Sequence, residues 1–220
     1  KDYLIKKFLM KIIIYALIPA KSYSRRLKNK NLLKIKNKSL IEIAIESVRG
    51  NKKIYKIFIS TNSKNIFKLA KKLGADAIIR KNLNNNLPSF TVIKDFINQI
   101  KPEKKSLIIY LQPTSPLRNY NHVKVALNKF IKAKNKTILI SLKKGKKKVL
   151  KSFYKKKGNI IPIMSENTSN INIQNLPDVF YPNGAIYIFK VSEFLKKNNF
   201  PNKKILPFIM NHDDSIDIDS

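Results

Sequence analysis

Ile12-Ile13-Ile14-Tyr15-Ala16-Leu17-Ile18 runs straight into Pro19-Ala20-Lys21-Ser22-Tyr23-Ser24-Arg25-Arg26-Leu27-Lys28-Asn29-Lys30-Asn31. The first seven residues are continuously apolar and rich in β-branched side chains. Such a run suits a strand buried on both faces, as in a parallel sheet sandwiched between helices. The segment that follows is polar and carries Lys21, Arg25, Arg26, Lys28 and Lys30. A strand that opens into small hydroxyls and cations suits a polyphosphate. It is not a P-loop, because Gly-x-x-x-x-Gly-Lys is absent. On its own this loop reads equally well as a solvated basic turn in a lysine-rich chain.

Downstream, strand and helix patterns alternate. Ser39-Leu40-Ile41-Glu42 fits a capping box. Leu40, Ile41, Ala44, Ile45 and Val48 then form one apolar helical face, which Gly50 closes. Ile54–Ile59 reads as a second strand. Asn62 or Ser63 caps a helix to Leu73, with Gly74 past its end. Ala75–Ile79 is a short strand, and Ser89–Gln99 a helix. Leu107–Leu111 is a buried strand, Asn121–Ala133 a helix and Thr137–Leu142 a strand. The alternation predicts an α/β fold: a Rossmann-like, mainly parallel sheet with helices on both faces. Such sheets bind ligands at the carboxyl ends of their strands. The loops at 19–31, 61–62, 80–89 and 112–118 are therefore the expected site.

Residues 143–182 break the alternation. They are basic, then asparagine-rich, with a hairpin expected at Phe153–Ile163 around Lys157-Gly158-Asn159. This segment reads as an arm inserted in one domain that spans 12–220, behind an N-terminal extension at 1–11. Ile186–Phe189 returns to strand and Val191–Lys197 to helix.

Composition sets outer limits. The chain has 220 residues, enough for a core without staples, and 43% of them are hydrophobic. It has no cysteine, which excludes disulfide frameworks and thiolate sites. Its net charge is 46 − 13 = +33. That raises nucleic acid or another polyanion as a partner. The lysines are spread along the whole chain, however, and biased composition accounts for them better than a nucleic-acid surface does. The longest apolar run, Ile12–Ile18, is far short of the ~20 residues that span a membrane. Lys6 and Lys7 before Phe8–Ile18 resemble a signal peptide only weakly, since no small-x-small cleavage site follows. Met10 is a candidate start, and the end at Ser220 is abrupt.

Two further stretches carry chemistry. Leu111-Gln112-Pro113-Thr114-Ser115-Pro116-Leu117-Arg118 brackets two hydroxyls between prolines, just after a buried strand. A rigid capped turn would look the same. Asp213-Asp214-Ser215-Ile216-Asp217-Ile218-Asp219 is the one acidic cluster. Asp217 and Asp219, two apart, share a face on a strand and suit Mg²⁺. An acidic tail pairing with surface lysines is the alternative. Neither His122 nor His212 has a partner at ligand or triad spacing. His122 is expected to be satisfied or exposed, and His212 adjoins the aspartates.

In order and spacing, these pieces resemble the CMP-N-acylneuraminate synthetases, cytidylyltransferases that activate nine-carbon sugar acids. That family's Ile-Pro-Ala-Arg-x-Gly-Ser-Lys-Arg-x-x-x-Lys-Asn is similar to Ile18–Asn31. Its Leu-Gln-Pro-Thr-Ser-Pro-Leu-Arg stands intact at Leu111–Arg118. Asn-Gly-Ala-Ile-Tyr-Ile is Asn183–Ile188, Ser-Ile-Asp-Ile-Asp is Ser215–Asp219, and Ser60-Thr61-Asn62 replaces Ser-Thr-Asp. The synthetase for the eight-carbon sugar of lipopolysaccharide is a poorer match.

The resemblance implies CTP and a nonulosonic acid as substrates, Mg²⁺ as cofactor, a homodimer formed through the arm, and a cytoplasmic setting where CTP is found. By position, Ala20, Lys21, Ser24, Arg25, Lys30, Asn31, Arg80 and Ser89 would bind the nucleotide. Gln112, Thr114, Ser115, Asn183 and Tyr187 would face the sugar, and Asp217 and Asp219 the metal. Lys21, Lys30 and Asp217 would be catalytic, with Asp217 or a water held by the metal taking the sugar's proton. The departures are Lys21 for arginine, Ser22 and Tyr23 where glycines stand, and Asn172-Ile173 where an arginine meets the sugar carboxylate. They leave open pseudaminic or legionaminic acid as the sugar. They also leave open a second class, a basic module that has lost catalysis and binds nucleic acid or an anionic polymer.

Overall fold

The computed structural model describes residues 12–22, 30–80 and 87–218. Its centre is a seven-stranded sheet of β1 (Ile14–Ala20), β4 (Lys56–Thr61), β5 (Asp76–Ile79), β6 (Leu107–Tyr110), β7 (Ile138–Lys144), β10 (Phe180–Lys190) and β11 (Ile205–Ile209), in the order β11-β7-β10-β6-β1-β4-β5. β6, β1, β4 and β5 are mutually parallel, and β11 is parallel to β7. β10 runs antiparallel to both of its neighbours. Two small hairpins complete the strands: β2 (Lys34–Ile35) with β3 (Lys38–Ser39), and β8 (Phe153–Lys156) with β9 (Asn159–Pro162).

Helices cover both faces, and β1 shows why its sequence had to be apolar throughout. Ala16, Ile18 and Ala20 point to one face, where α1 (Leu40–Glu46), α2 (Lys64–Lys72) and α4 (Tyr120–Lys132) bring Ile41, Ile45, Ile66, Val123 and Leu127. Tyr15 and Leu17 point to the other, against Ile93 and Phe96 of α3 (Ser89–Ile100) and Phe194 of α5 (Val191–Leu195). A period of two puts alternate residues in different cores, so no position is free to be polar.

The expected helix starts hold, with one choice resolved. Ser39 caps α1 by accepting from Glu42 N at 3.2 Å, and Ser63, not Asn62, caps α2 by accepting from Ile66 N at 3.4 Å. Gly74 takes the left-handed conformation after α2 (φ +73°), where a Cβ would be strained. β1 and β4 lie two residues further along than the apolar runs suggested, and other strands depart from the sequence reading as well. β11 was not expected, and Pro207 explains why: proline argues against a strand, yet an edge position tolerates it. β7 and β10 run further than expected, pairing out to Lys144↔Phe180. The feet of the arm are thus part of the sheet, and the hairpin at Phe153–Pro162 stands beyond them. No helix among the described residues is long and apolar enough to cross a membrane.

Candidate functional site at the carboxyl ends of the strands

β1, β4, β5 and β6 are parallel, so their carboxyl ends open on one edge of the sheet. There lies a cleft of about 170 Å³. Lys21 borders it just after β1, Arg80 just after β5, and Gln112 and Thr114 just after β6. Lys30 and Asn31 enter from a 3-10 turn, Ser89 from the first turn of α3, and Tyr110 forms part of the wall. Residues up to 93 positions apart in the chain are brought together because parallel strands deliver their loops to the same end.

The polar groups here are held unusually far inside. Lys30, Asn31, Arg80 and Thr114 are all buried. Asn31 Nδ2 donates to the Lys21 carbonyl at 2.9 Å, tying the two ends of the first loop. Ser22 N donates to Asn62 Oδ1 at 2.8 Å, which fastens that loop to the end of β4. Arg80 donates through Nε to Ser60 Oγ (3.0 Å) and through Nη2 to the Ser60 carbonyl (2.8 Å). Burial pulls the Arg80 guanidinium down, and Tyr110 and Asp95 partly offset it. Tyr110 shares a hydrogen bond with Ser89, while burial pushes its phenol up to about 12, so it stays a neutral hydroxyl.

Ala20 is fully buried at the end of β1, so only its backbone faces the loop. Ser24, Arg25 and Asp219 lie outside the described residues. Ser115 and Asn183 sit behind the cleft rather than on its surface. Ser115 is fully buried, and its hydroxyl donates to the Asn183 carbonyl at 3.4 Å. Asn183 is the hub of a buried network: its Oδ1 accepts from Ser141 Oγ (2.6 Å) and its Nδ2 donates to Ser215 Oγ (2.9 Å) and Met210 Sδ (3.3 Å). Gly184 follows at φ +75°, and a Cβ there would lie 2.6 Å from Gln112 Oε1. The glycine therefore makes room for the Gln112 side chain.

Asp217 is brought to this end of the sheet by Ile218, whose N donates to the Thr114 carbonyl at 2.9 Å. Asp217 Oδ1 is sealed from solvent. Burial, and then the charge of Asp217, push the Tyr187 hydroxyl up. Tyr187 packs its ring 6.3 Å from that of Tyr110, so the aspartate stands beside the cleft wall. A carboxylate oxygen is the right donor for a hard divalent cation. Among the described residues no group of three or more histidines, cysteines or carboxylates gathers. The donor set thus fits a cation held by one or two carboxylates, with substrate oxygens supplying the rest.

Sequence reasoning missed two contributors. Tyr110 looked like any other residue of a buried strand. Arg118, given no role at the end of the Gln112 loop, is fully buried beneath it. Its signal was a cation one turn past two prolines. His122 also gains a partner that spacing could not show, with Nε2 3.5 Å from Asp214 Oδ2.

A mainly parallel sheet with helices on both faces and amide, hydroxyl and guanidinium groups gathered at its carboxyl end defines a Rossmann-like α/β domain. The chain belongs to the cytidylyltransferase family, whose profile matches residues 15–208. It is 28% identical over 217 residues to an N-acylneuraminate cytidylyltransferase of Escherichia coli O18:K1:H7, covering 96% of this chain and 50% of that protein. It is 26% identical over 187 residues to a pseudaminic acid cytidylyltransferase of Campylobacter jejuni, covering 83% of this chain and 80% of that protein. Among solved structures, a CMP:2-keto-3-deoxy-manno-octonic acid synthetase complexed with CTP shares the fold over 90% of each chain, with a TM-score of 0.64 at 15% identity. The chain spans about half the length of the N-acylneuraminate cytidylyltransferases it matches. Cytidylyltransferases of this kind generally use a divalent metal ion.

Proposed function

We propose that this protein transfers the cytidylyl group of CTP to a nonulosonic sugar acid, releasing pyrophosphate. The observation that carries the reading is the convergence of Lys21, Lys30, Arg80, Gln112 and Thr114 on one cleft. The anomeric hydroxyl oxygen bonds to the α-phosphorus as the bond to the pyrophosphate oxygen breaks, and the hydroxyl's proton passes to a base. Lys21 and Lys30 offset the charge that builds on the phosphates, and Arg25 and Ser24, outside the described residues, are assigned to the same task. Preorganised charge of this kind is the largest single aid to phosphoryl-type transfer. Asn31 ties the Lys21 turn, and Arg80 and Ser89 border the nucleotide. Gln112, Thr114 and Tyr187 face the sugar, while Ser115 and Asn183 set the wall behind them. Asp217, with Asp219, would hold Mg²⁺, and Asp217 is the candidate assigned here to take the proton. Mg²⁺, when bound, supplies charge neutralisation at the phosphates.

The arm supports a homodimer. Phe153, Ile160, Ile163 and Met164 are exposed on and beside its hairpin, a surface suited to burial against a second copy. The cytoplasm, where CTP is made, is the expected location.

The test is pyrophosphate release from CTP and Mg²⁺ with N-acetylneuraminic, legionaminic, pseudaminic and eight-carbon sugar acids in parallel. Turnover with one of the nine-carbon acids, lost in Asp217→Ala, is expected. Relatives of two substrate names make the pseudaminic arm a serious competitor to the N-acylneuraminic one. Silence with all four acids, together with steeply salt-dependent binding to polynucleotide, would instead favour the basic binding module.

A further inference from the structure

Arg118 is the largest fully buried side chain among the described residues, 1% exposed. Its Nη1 donates to the carbonyls of Gln112 (2.8 Å) and Ala185 (3.0 Å), and its Nε donates to Ser47 Oγ (3.2 Å). Nη2 is buried with no hydrogen-bond partner. All of the acceptors are neutral, and among the described residues no carboxylate pairs with it. A guanidinium in such surroundings is costly: the effective penalty for burying an ion is several kcal/mol, normally offset by an opposite charge. Burial alone pulls it down to about 9, which still leaves it charged at neutral pH. A simple clamp between α1, the Gln112 loop and β10 could be built from neutral donors. The charge needs another account.

The geometry points to one. Gln112, whose carbonyl Arg118 holds, lines the cleft. The buried cation therefore stands directly behind the wall where an anionic substrate would lie. We propose that Arg118 is a positioning residue whose counterion is the substrate itself: a fixed positive charge under the Gln112 loop, uncompensated until a polyphosphate enters the cleft. This deepens the cytidylyltransferase reading and rests on it for the identity of the ligand. The effect has a definite size. Across a protein wall of intermediate dielectric such a charge is worth on the order of tenfold in affinity. Being buried, it is screened little by salt.

The test measures Kd for CTP and, separately, for inorganic tripolyphosphate, at about 0.1 and 0.5 M salt. The proteins are the wild type, Arg118→Lys and Arg118→Gln, each with its Tm. Arg118→Lys keeps the charge and loses the forked donors, so its Tm falls while affinity stays within about threefold. Arg118→Gln keeps donors and loses the charge, so affinity for both ligands falls about tenfold at both salt concentrations. Affinity that tracks Tm across the two variants would overturn the proposal and make Arg118 a structural clamp. So would unchanged affinity in Arg118→Gln, or a wild type that binds neither ligand. A wild type that binds tripolyphosphate but not CTP, with the charge effect intact, would sink the cytidylyltransferase reading and leave the role of Arg118 standing.

Discussion

The cleft and the arm invert the usual division between inside and outside in opposite ways. At the carboxyl end of the sheet, Lys30, Arg80, Ser115, Arg118 and Asn183 are buried, each at 7% exposure or less. On the arm, Phe153 is 55% exposed and Ile160 is 63% exposed. Polar groups inside are tolerated only when their hydrogen bonds are organised, as Ser60 does for Arg80 and as Ser141 and Ser215 do for Asn183. Apolar groups outside are tolerated singly, but here they gather on one hairpin and its flank. The first inversion is satisfied within the chain for all but Arg118, whose Nη2 has no hydrogen-bond partner, and it lines the cleft to which a small anionic ligand is assigned above. The second is not satisfied among the described residues, and the proposed dimer would cover it. Lysine richness blurs both at the level of composition, because 46 cations cannot all be functional.

The sharpest way to break this contrast is at the cleft. Lys30→Ala removes one preorganised cation and is expected to cost about 10²–10³ in turnover. The check is pyrophosphate release, with circular dichroism to show the fold intact. A loss under about threefold would mean the buried lysine serves packing alone. Next in size is Asn183→Ala, which takes the acceptor from the buried Ser141 hydroxyl and a donor from that of Ser215, although Ile186 N and the Asn211 carbonyl still hold them. It should cost about 2–4 kcal/mol in urea unfolding. A neutral outcome would show that the buried polar network is slack.

The arm gives the complementary test. Ile160→Asp is expected to convert a dimer to a monomer in sedimentation while changing the stability of the folded domain by only about 0.5 kcal/mol. A large loss of stability would mean that the exposed hairpin is already part of the core. The smallest effect lies on neither region and serves as a control for surface charge. Asp76 is held below its ordinary value first by its hydrogen bond to Lys71, which burial opposes, and then by Lys56. Its folded pKa is lower than the unfolded one, so its contribution is present above the unfolded value, near pH 4. It is lost as the pH falls through the folded value. Asp76→Asn should flatten that acid limb by less than about 1 kcal/mol, because the pair is largely exposed and screened.

Much of this was legible in the chain. The run at Ile12–Ile18 had to be a strand covered on both faces, and the apolar spacing of Leu40–Val48 had to be a helix. Ser39, Ser63 and Gly74 marked ends through local hydrogen bonds and φ preferences, which act over a few residues and so are written in a few residues. The order of the motifs fixed the family. What the chain could not show is which strand lies beside which and in which direction. β10 runs against its neighbours, and β11 joins the far edge despite Pro207. That choice is made by long-range pairing, where the enthalpy of a ladder is shared between segments distant in sequence. The same holds for the buried polar groups. Arg118, Asn183 and Asn62 are ordinary residues in one dimension. Each becomes a support only because folding brings Ala185, Ser215 and Ser22 within hydrogen-bond reach, 67, 32 and 40 residues away. Local patterning determined the elements and the chemistry on offer; only tertiary packing decided which of those groups lose water, and a group's charge and hydrogen bonds matter most where water is gone.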